Sequence, residues 1–227
     1  FDELIEKLPD EIGKCRDLCT DYAVIASIKP GSLLLLELAR NIESQVLMIF
    51  QILDILNPEL RVMDSFFRIK WYSYKKENVG HTKAKSIEYL DAIIKHENTG
   101  ILQLLESIRF DDGLFSGAVM PAGSLKNVED VYERIFQGQD YWLKLSAAWD
   151  MPRDISGRFE KFLLEVEAMM PLLEKFHLIK DSPMLKGLSM TELMLFAEFI
   201  EIVDFRASDY VFKIGDPANA LYRILEG

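Results

Sequence analysis

The run from Leu33 to Leu56 constrains the fold more than any other part of this 227-residue chain. Its apolar residues recur at helical spacing over a length that either spans a membrane or lies buried in a core. Seven polar side chains interrupt it: Glu37, Arg40, Asn41, Glu43, Gln45, Gln51 and Asp54. A charge at mid-bilayer costs about 2.5–3.5 kcal/mol in insertion measurements, so this many polar groups exclude a transmembrane reading. The expectation is a core helix from Ser32 to Leu56, stopping at Asn57-Pro58, with no membrane span.

The flanking sequence keeps the same period. A first helix is expected over Asp10 to Ile28, closed by Pro30-Gly31, because a residue before proline avoids the helical region and Gly supplies the turn. A third, about Glu59 to Glu77, carries Phe66, Phe67, Trp71, Tyr72 and Tyr74. Gly80 is read as separating it from a fourth, Thr82 to Lys95, whose buried stripe is Ala84, Ile87, Leu90 and Ile94. Asp112-Gly113, Gly117 and Pro121-Ala122-Gly123 break every period between Phe110 and Ser124, which reads as a loop. Asn127 then caps a helical stretch running to Trp149 and ending at Met151-Pro152, with Glu129 and Asp130 placed well against the helix dipole. A last long helix carries Phe159, Phe162, Leu163, Val166, Met169, Met170, Leu173 and Phe176, with Pro171 kinking it or opening a new segment. Helical character fades by Lys180.

Charge and composition narrow the function classes. Acidic residues number 37 against 26 basic, a net charge of −11, and this balance repels a phosphate backbone, so no nucleic-acid partner is expected. With 49% hydrophobic and 28% charged residues, disorder and collagen-like repeats are excluded as descriptions of the whole. Two cysteines, Cys15 and Cys19, are too few for a disulfide framework and fit a reducing, cytoplasmic setting. They share a helix face and read as small buried residues rather than as a metal or redox pair. The first residue is not Met, and the chain is expected to begin inside a longer product.

Chemistry-bearing clusters are sparse. His81, His96 and His177 fall on different elements, and no Glu-x-x-His spacing suggests a helical metal site. Asp111-Asp112 reads as a solvated turn former. No phosphate-cradling Gly-rich loop ends in Lys-Ser or Lys-Thr, and no nucleophile elbow is present, so no enzyme is expected. Met169, Met170, Met184, Met190 and Met194 gather where helices give way to another grammar, and read as junction packing.

That change comes after Ser182. Ser189 is a candidate cap for a helix through Phe196, and Ile200, Ile202, Tyr210, Phe212, Leu221, Tyr222, Ile224 and Leu225 form short β-like runs divided by turn residues. The organisation expected is a helical domain over 1–180 and a second domain over 181–227.

The order Ser182-Pro183-Met184-Leu185-Lys186-Gly187-Leu188-Ser189, the helix after it, and Phe205, Val211, Phe212, Gly215, Asp216, Ala218, Leu221, Tyr222, Ile224 and Gly227 resemble the opening of a cyclic-nucleotide-binding domain of the catabolite-activator type. With the helical period before it, the resemblance gives a mainly α fold class: an irregular helical bundle or helical-hairpin domain followed by the first helix and strands of a β-roll. In that family Gly215-Asp216 would make a tight corner and Leu221-Tyr222 would insert into the roll. Ser208 stands where the family commonly has Gly, so a turn of another type is expected there. The acidic and Arg residues that hold the nucleotide lie beyond Gly227 in the family pattern. No cofactor is therefore expected for this chain, and cyclic AMP or cyclic GMP only for a complete domain. Phe67 to Glu97 resembles a single tetratricopeptide-type hairpin, without a second copy in register. The implied function is a cyclic-nucleotide-responsive regulatory protein whose helical domain meets a protein partner or self-associates. The alternative is a helical scaffold with a non-binding nucleotide-type domain.

Overall fold

The structure, a computed structural model, describes the chain except residues 1, 75–78, 94–98, 112–113, 119–126, 181, 186–187, 189, 218 and 227, and describes only the backbone at 71–74, 79–82, 93, 99, 111, 114, 190 and 191. The chain is mainly helical and divides into two compact units, Phe1–Phe162 and Leu163–Gly227. The boundary expected near residue 180 thus differs from this division, and the last expected helix belongs largely to the second unit.

The first unit is built around α2 (Leu33–Leu56), whose Ser32 N-cap accepts a hydrogen bond from the Leu35 amide. Leu34, Leu38, Ile42, Val46, Ile49, Phe50 and Leu53 are buried along it. Helix α1 (Asp2–Ile28) lies against α2 and starts earlier than the expected Asp10, running through Pro9. Proline removes one backbone bond, but Leu8, Ile12, Cys15 and Cys19 continue one buried face through it, and that packing holds the helix together.

A 3-10 turn, Pro58–Leu60, leads into α3 (Val62–Tyr74), followed by α4 (Val79–Ile93) and α5 (Thr99–Ser107). Gly80 lies inside α4 rather than dividing two helices, and of the expected stripe Leu90 is buried, Ile87 half-buried and Ala84 exposed. Ile94 lies outside the described residues. Helices α3 and α4 pack as a pair, and the Tyr89 hydroxyl donates to the Leu60 carbonyl.

The expected loop after Phe110 is corrected to a hairpin. Strand β1 (Ile108–Asp111) pairs antiparallel with β2 (Leu114–Ala118), with Phe110 opposite Phe115 and a bulge between Arg109 and Phe110. Ile108, Phe110 and Phe115 are buried, and the Phe115 ring meets Tyr22 edge-on at 4.8 Å. Apolar packing onto α1 and α2 makes a hairpin of residues whose Gly content alone suggests loop.

Helices α6 (Val128–Gln137) and α7 (Tyr141–Asp150) replace the single stretch expected up to Trp149. The break has a local cause: Gly138 closes α6, and Asp140 caps α7 by accepting from the Leu143 amide at 2.9 Å. Asn127 caps α6, accepting from the Glu129 amide. The remaining long helix is also divided, into a 3-10 turn at Ser156–Phe159, α8 (Glu160–Val166), a 3-10 turn at Glu167–Met169 and α9 (Met170–Ile179). Pro171 sits in the first turn of α9 and opens it.

Asp150, buried at the end of α7, ties three elements. One carboxylate oxygen accepts from the Leu34 amide at the start of α2 at 2.7 Å, and the other from Lys29 Nζ at 2.7 Å. Replacing it by Ala should destabilise the fold by about 2–3 kcal/mol, because a buried amide and an ammonium lose their acceptor together. Ser32→Ala, removing one neutral cap, should cost about 1 kcal/mol. Urea unfolding of both variants checks the order; equal costs would refute the bridging role.

Glu37, buried on α2, has its carboxyl pushed above the ordinary range by burial, with Arg40 opposing and the Asp140 charge adding to the rise. A carboxyl that is harder to ionise when folded destabilises the ionised protein above its folded pKa, and has no such effect below its ordinary value of 4.5. Glu37→Gln should therefore stabilise the protein at pH 7 by up to about 1 kcal/mol, with the gain fading as pH falls to about 4.5. Thermal melts of wild type and variant across that range provide the check.

Candidate functional site

In the second unit, α10 (Met190–Glu198) packs on α9 and buries Leu193, Met194 and Ala197. Leu195, Phe196 and Phe199 on the same segment are exposed. Before α10 comes a 3-10 turn, Pro183–Leu185, in the Ser182-Pro183-Met184-Leu185 stretch.

Beyond α10, two turns repeat the same design seven residues apart. In Arg206–Asp209 the Asp209 amide donates to the Arg206 carbonyl at 3.0 Å, and the Asp209 carboxylate accepts from the Arg206 amide at 2.8 Å. In Lys213–Asp216 the Asp216 amide donates to the Lys213 carbonyl at 3.1 Å, and its carboxylate accepts from the Lys213 amide at 2.6 Å. Each turn has its third residue at positive φ, Ser208 at 78° and Gly215 at 99°. The aspartate both ends the turn and locks it, as short acidic side chains can. Ser208 adopts the left-handed backbone that Gly would favour.

Aromatic contacts link what the turns separate. Tyr222 stacks on Phe212 at 6.2 Å and meets Phe205 at 6.5 Å, while Lys213 Nζ lies 5.0 Å from the centre of the Tyr210 ring. Arg223 donates to the Leu178 carbonyl in the last turn of α9, a favourable place for a cation. Of the sequence candidates, Gly215 and Asp216 lie in the second turn, Tyr222 in the aromatic trio, and Leu221 is exposed. Gly227, Ala218 and Ser189 lie outside the described residues.

No strand is found among the described residues of 200–226, where the sequence predicts short strands. The backbone bonds there are turn bonds, and a strand needs a ladder partner.

The other candidates fall apart as sites. Cys15 and Cys19 are buried one helical turn apart, and the Cys19 thiol is pushed up by its hydrogen bond with Cys15 and then by burial, so it stays protonated and unreactive. Among the described residues no group of three or more His, Cys, Asp and Glu could hold a metal ion. His177 packs edge-on against Phe176 at 5.9 Å, the side chains of His81 and Asp111 are not described, and His96 and Asp112 lie outside the described residues. The methionines do not form one surface: Met194 is buried and Met184 is exposed. Among the described residues no helix is long and apolar enough to cross a membrane.

Sequence reasoning passed over a cleft in the first unit. It has a volume of about 310 Å³ and is lined by Ile25, Ile28 and Lys29 at the end of α1, Tyr132 of α6, and Asp150 with the turn after it, Met151 to Arg153. Asp150 itself carried a signal, since an acid in the last turn of a helix opposes the dipole and needs a partner elsewhere.

No family model, curated protein or solved structure matches the chain.

The two turns invite a paired substitution. Ser208→Gly should firm the first turn by about 1 kcal/mol and Gly215→Ala should loosen the second by a similar amount, because only Gly takes positive φ freely. Amide exchange at Asp209 and Asp216 reads both, with slower exchange at Asp209 and faster at Asp216 expected.

Proposed function

We propose that the chain is part of a cytoplasmic cyclic-nucleotide-responsive regulatory protein, in which residues 181–227 open a nucleotide-binding roll and the helical part serves as interaction or output module. The observation that supports this most is the pair of Asp-locked turns at Arg206–Asp209 and Lys213–Asp216, bracketing Tyr210-Val211-Phe212, with Tyr222 stacked on Phe212. Such corners aim successive extended segments back along one another, which is what the start of an antiparallel roll needs. Asp216 has its carboxylate engaged by the Lys213 amide, so its role in this reading is to shape the corner.

In this proposal the ligand biases packing between roll and helical module, a population shift rather than a chemical step. The polar groups that would hold a cyclic phosphate are not assigned to any residue of 1–227, and the helical module is given no catalytic role.

Calorimetric titration tests the proposal. The 227-residue chain should be silent toward cyclic AMP and cyclic GMP, while the full-length gene product that contains it should bind one of them with a Kd of micromolar order or tighter. Binding by the 227-residue chain would overturn the placement of the pocket. A full-length product silent toward both would favour the alternative of a helical interaction scaffold with a structural, non-binding domain.

A further inference from the structure

From the cleft at the end of α1 we infer a binding site for a small organic acid, a monocarboxylate with a compact apolar body. Its floor is apolar, with Ile25, Ile28, Met151 and Pro152, and its polar groups are Lys29, Tyr132, Asp150 and Arg153. The volume of about 310 Å³ is at the low end for small-molecule clefts and suits a ligand of few atoms.

The charge arrangement selects the sign of the ligand. Asp150 is already engaged: its carboxylate accepts from Lys29 Nζ and from the Leu34 amide. An incoming cation would have to compete with both donors. Lys29 is half exposed and has three N–H donors, with Asp150 Oδ1 at 2.7 Å and the Asp150 carbonyl at 3.4 Å as partners. The Arg153 guanidinium forms no ion pair among the described residues. Two cations against one compensated carboxylate leave the cleft locally positive on a chain whose net charge is −11. Free Coulomb attraction at such a spot favours an anion.

Tyr132 adds a neutral donor. Its side chain is 2% exposed, and its hydroxyl reaches the Asp150 carbonyl only at 3.5 Å, the limit of a hydrogen bond. Burial, then the Asp150 charge, keep the phenol protonated, so it can turn its proton to a ligand oxygen. A carboxylate at the rim would thus meet one free Lys29 donor, the Arg153 fork and the Tyr132 hydroxyl, while a branched or ring-shaped body rests on the two isoleucines. Charge-assisted bonds of this kind are the strong ones in an otherwise modest site.

The test uses the 227-residue chain with 3-methylbutanoate and benzoate as probes, against 3-methylbutylamine and 3-methylbutanol as matched cation and neutral. Amide shifts in two-dimensional NMR should move at Ile25, Ile28, Lys29 and Met151 with the acids, with a Kd of about 1 mM. The amine and the alcohol should bind at least about tenfold more weakly. Arg153→Gln, at an exposed side chain that leaves the fold intact, should weaken acid binding about tenfold, and Tyr132→Phe several-fold with its packing retained. Lys144→Gln on α7, outside the cleft lining, should leave binding unchanged. Absent shifts at about 10 mM acid would overturn the inference. Equal or tighter binding of the amine, or acid affinity unchanged in both cleft variants, would overturn it as well.

Discussion

A helix buried on most sides must find partners inside the protein for whatever polar groups it carries, and α2 shows how that requirement organises the first unit. Four of its polar residues, Asn41, Glu43, Gln45 and Asp54, each reach a different neighbour. Gln45 donates to the Glu11 side chain and, at 3.3 Å, to the Glu11 carbonyl, tying α1. Glu43 accepts from the Phe115 amide at 2.6 Å and from Lys70 at 2.9 Å, holding β2 and α3 with one carboxylate. Asn41 donates to Asp140 at 2.7 Å, so the residue that caps α7 is itself anchored. Asp54 accepts from the Met63 amide at 3.1 Å at the start of α3. Apolar burial supplies the driving force, but it is non-directional; these bonds fix which element lies on which side.

Four of the seven residues that exclude a membrane reading in the sequence are therefore ones that tie α2 to its neighbours. Two of them pair with backbone amides at element starts, Glu43 at β2 and Asp54 at α3, and Asp150 does the reverse by serving the start of α2 from outside it. An anion near the first amides of a helix also meets the positive end of its dipole, so α2 and α3 gain twice from one contact each. Lys83 supplies the opposite case: its ammonium donates to the Ile108 and Glu106 carbonyls at the end of α5, and burial followed by the Arg109 charge pulls its pKa down. A cation there completes the helix end at a cost in solvation.

What was legible in the sequence follows from range. Helix period, the Asn127 cap and the stop at Asn57-Pro58 are local, and the structure has them at those residues. The starts of α1 and the division of the later helices were not, because Pro9 is overridden by a continuous buried face while Gly138-Gln139-Asp140 breaks a period that looks unbroken in apolar residues alone. The hairpin was missed although Asp112-Gly113 between alternating apolar residues is a hairpin signal; the surrounding glycines outweighed it. The cleft could not be read, since Lys29, Tyr132 and Asp150 come together only when α1, α6 and α7 do.

The tail draws the same line in a sharper way. A turn closed by its own aspartate needs four consecutive residues, so Arg206–Asp209 and Lys213–Asp216 form without help from anything distant. A strand is a property of two segments, and Ile202, Val203, Tyr210, Phe212, Leu221 and Ile224 remain exposed where no ladder is made. Phe205, Phe212 and Tyr222 make side-chain contacts across the turns without a ladder among the described residues there. Turn chemistry of this kind is local, while a ladder needs a second segment to pair with.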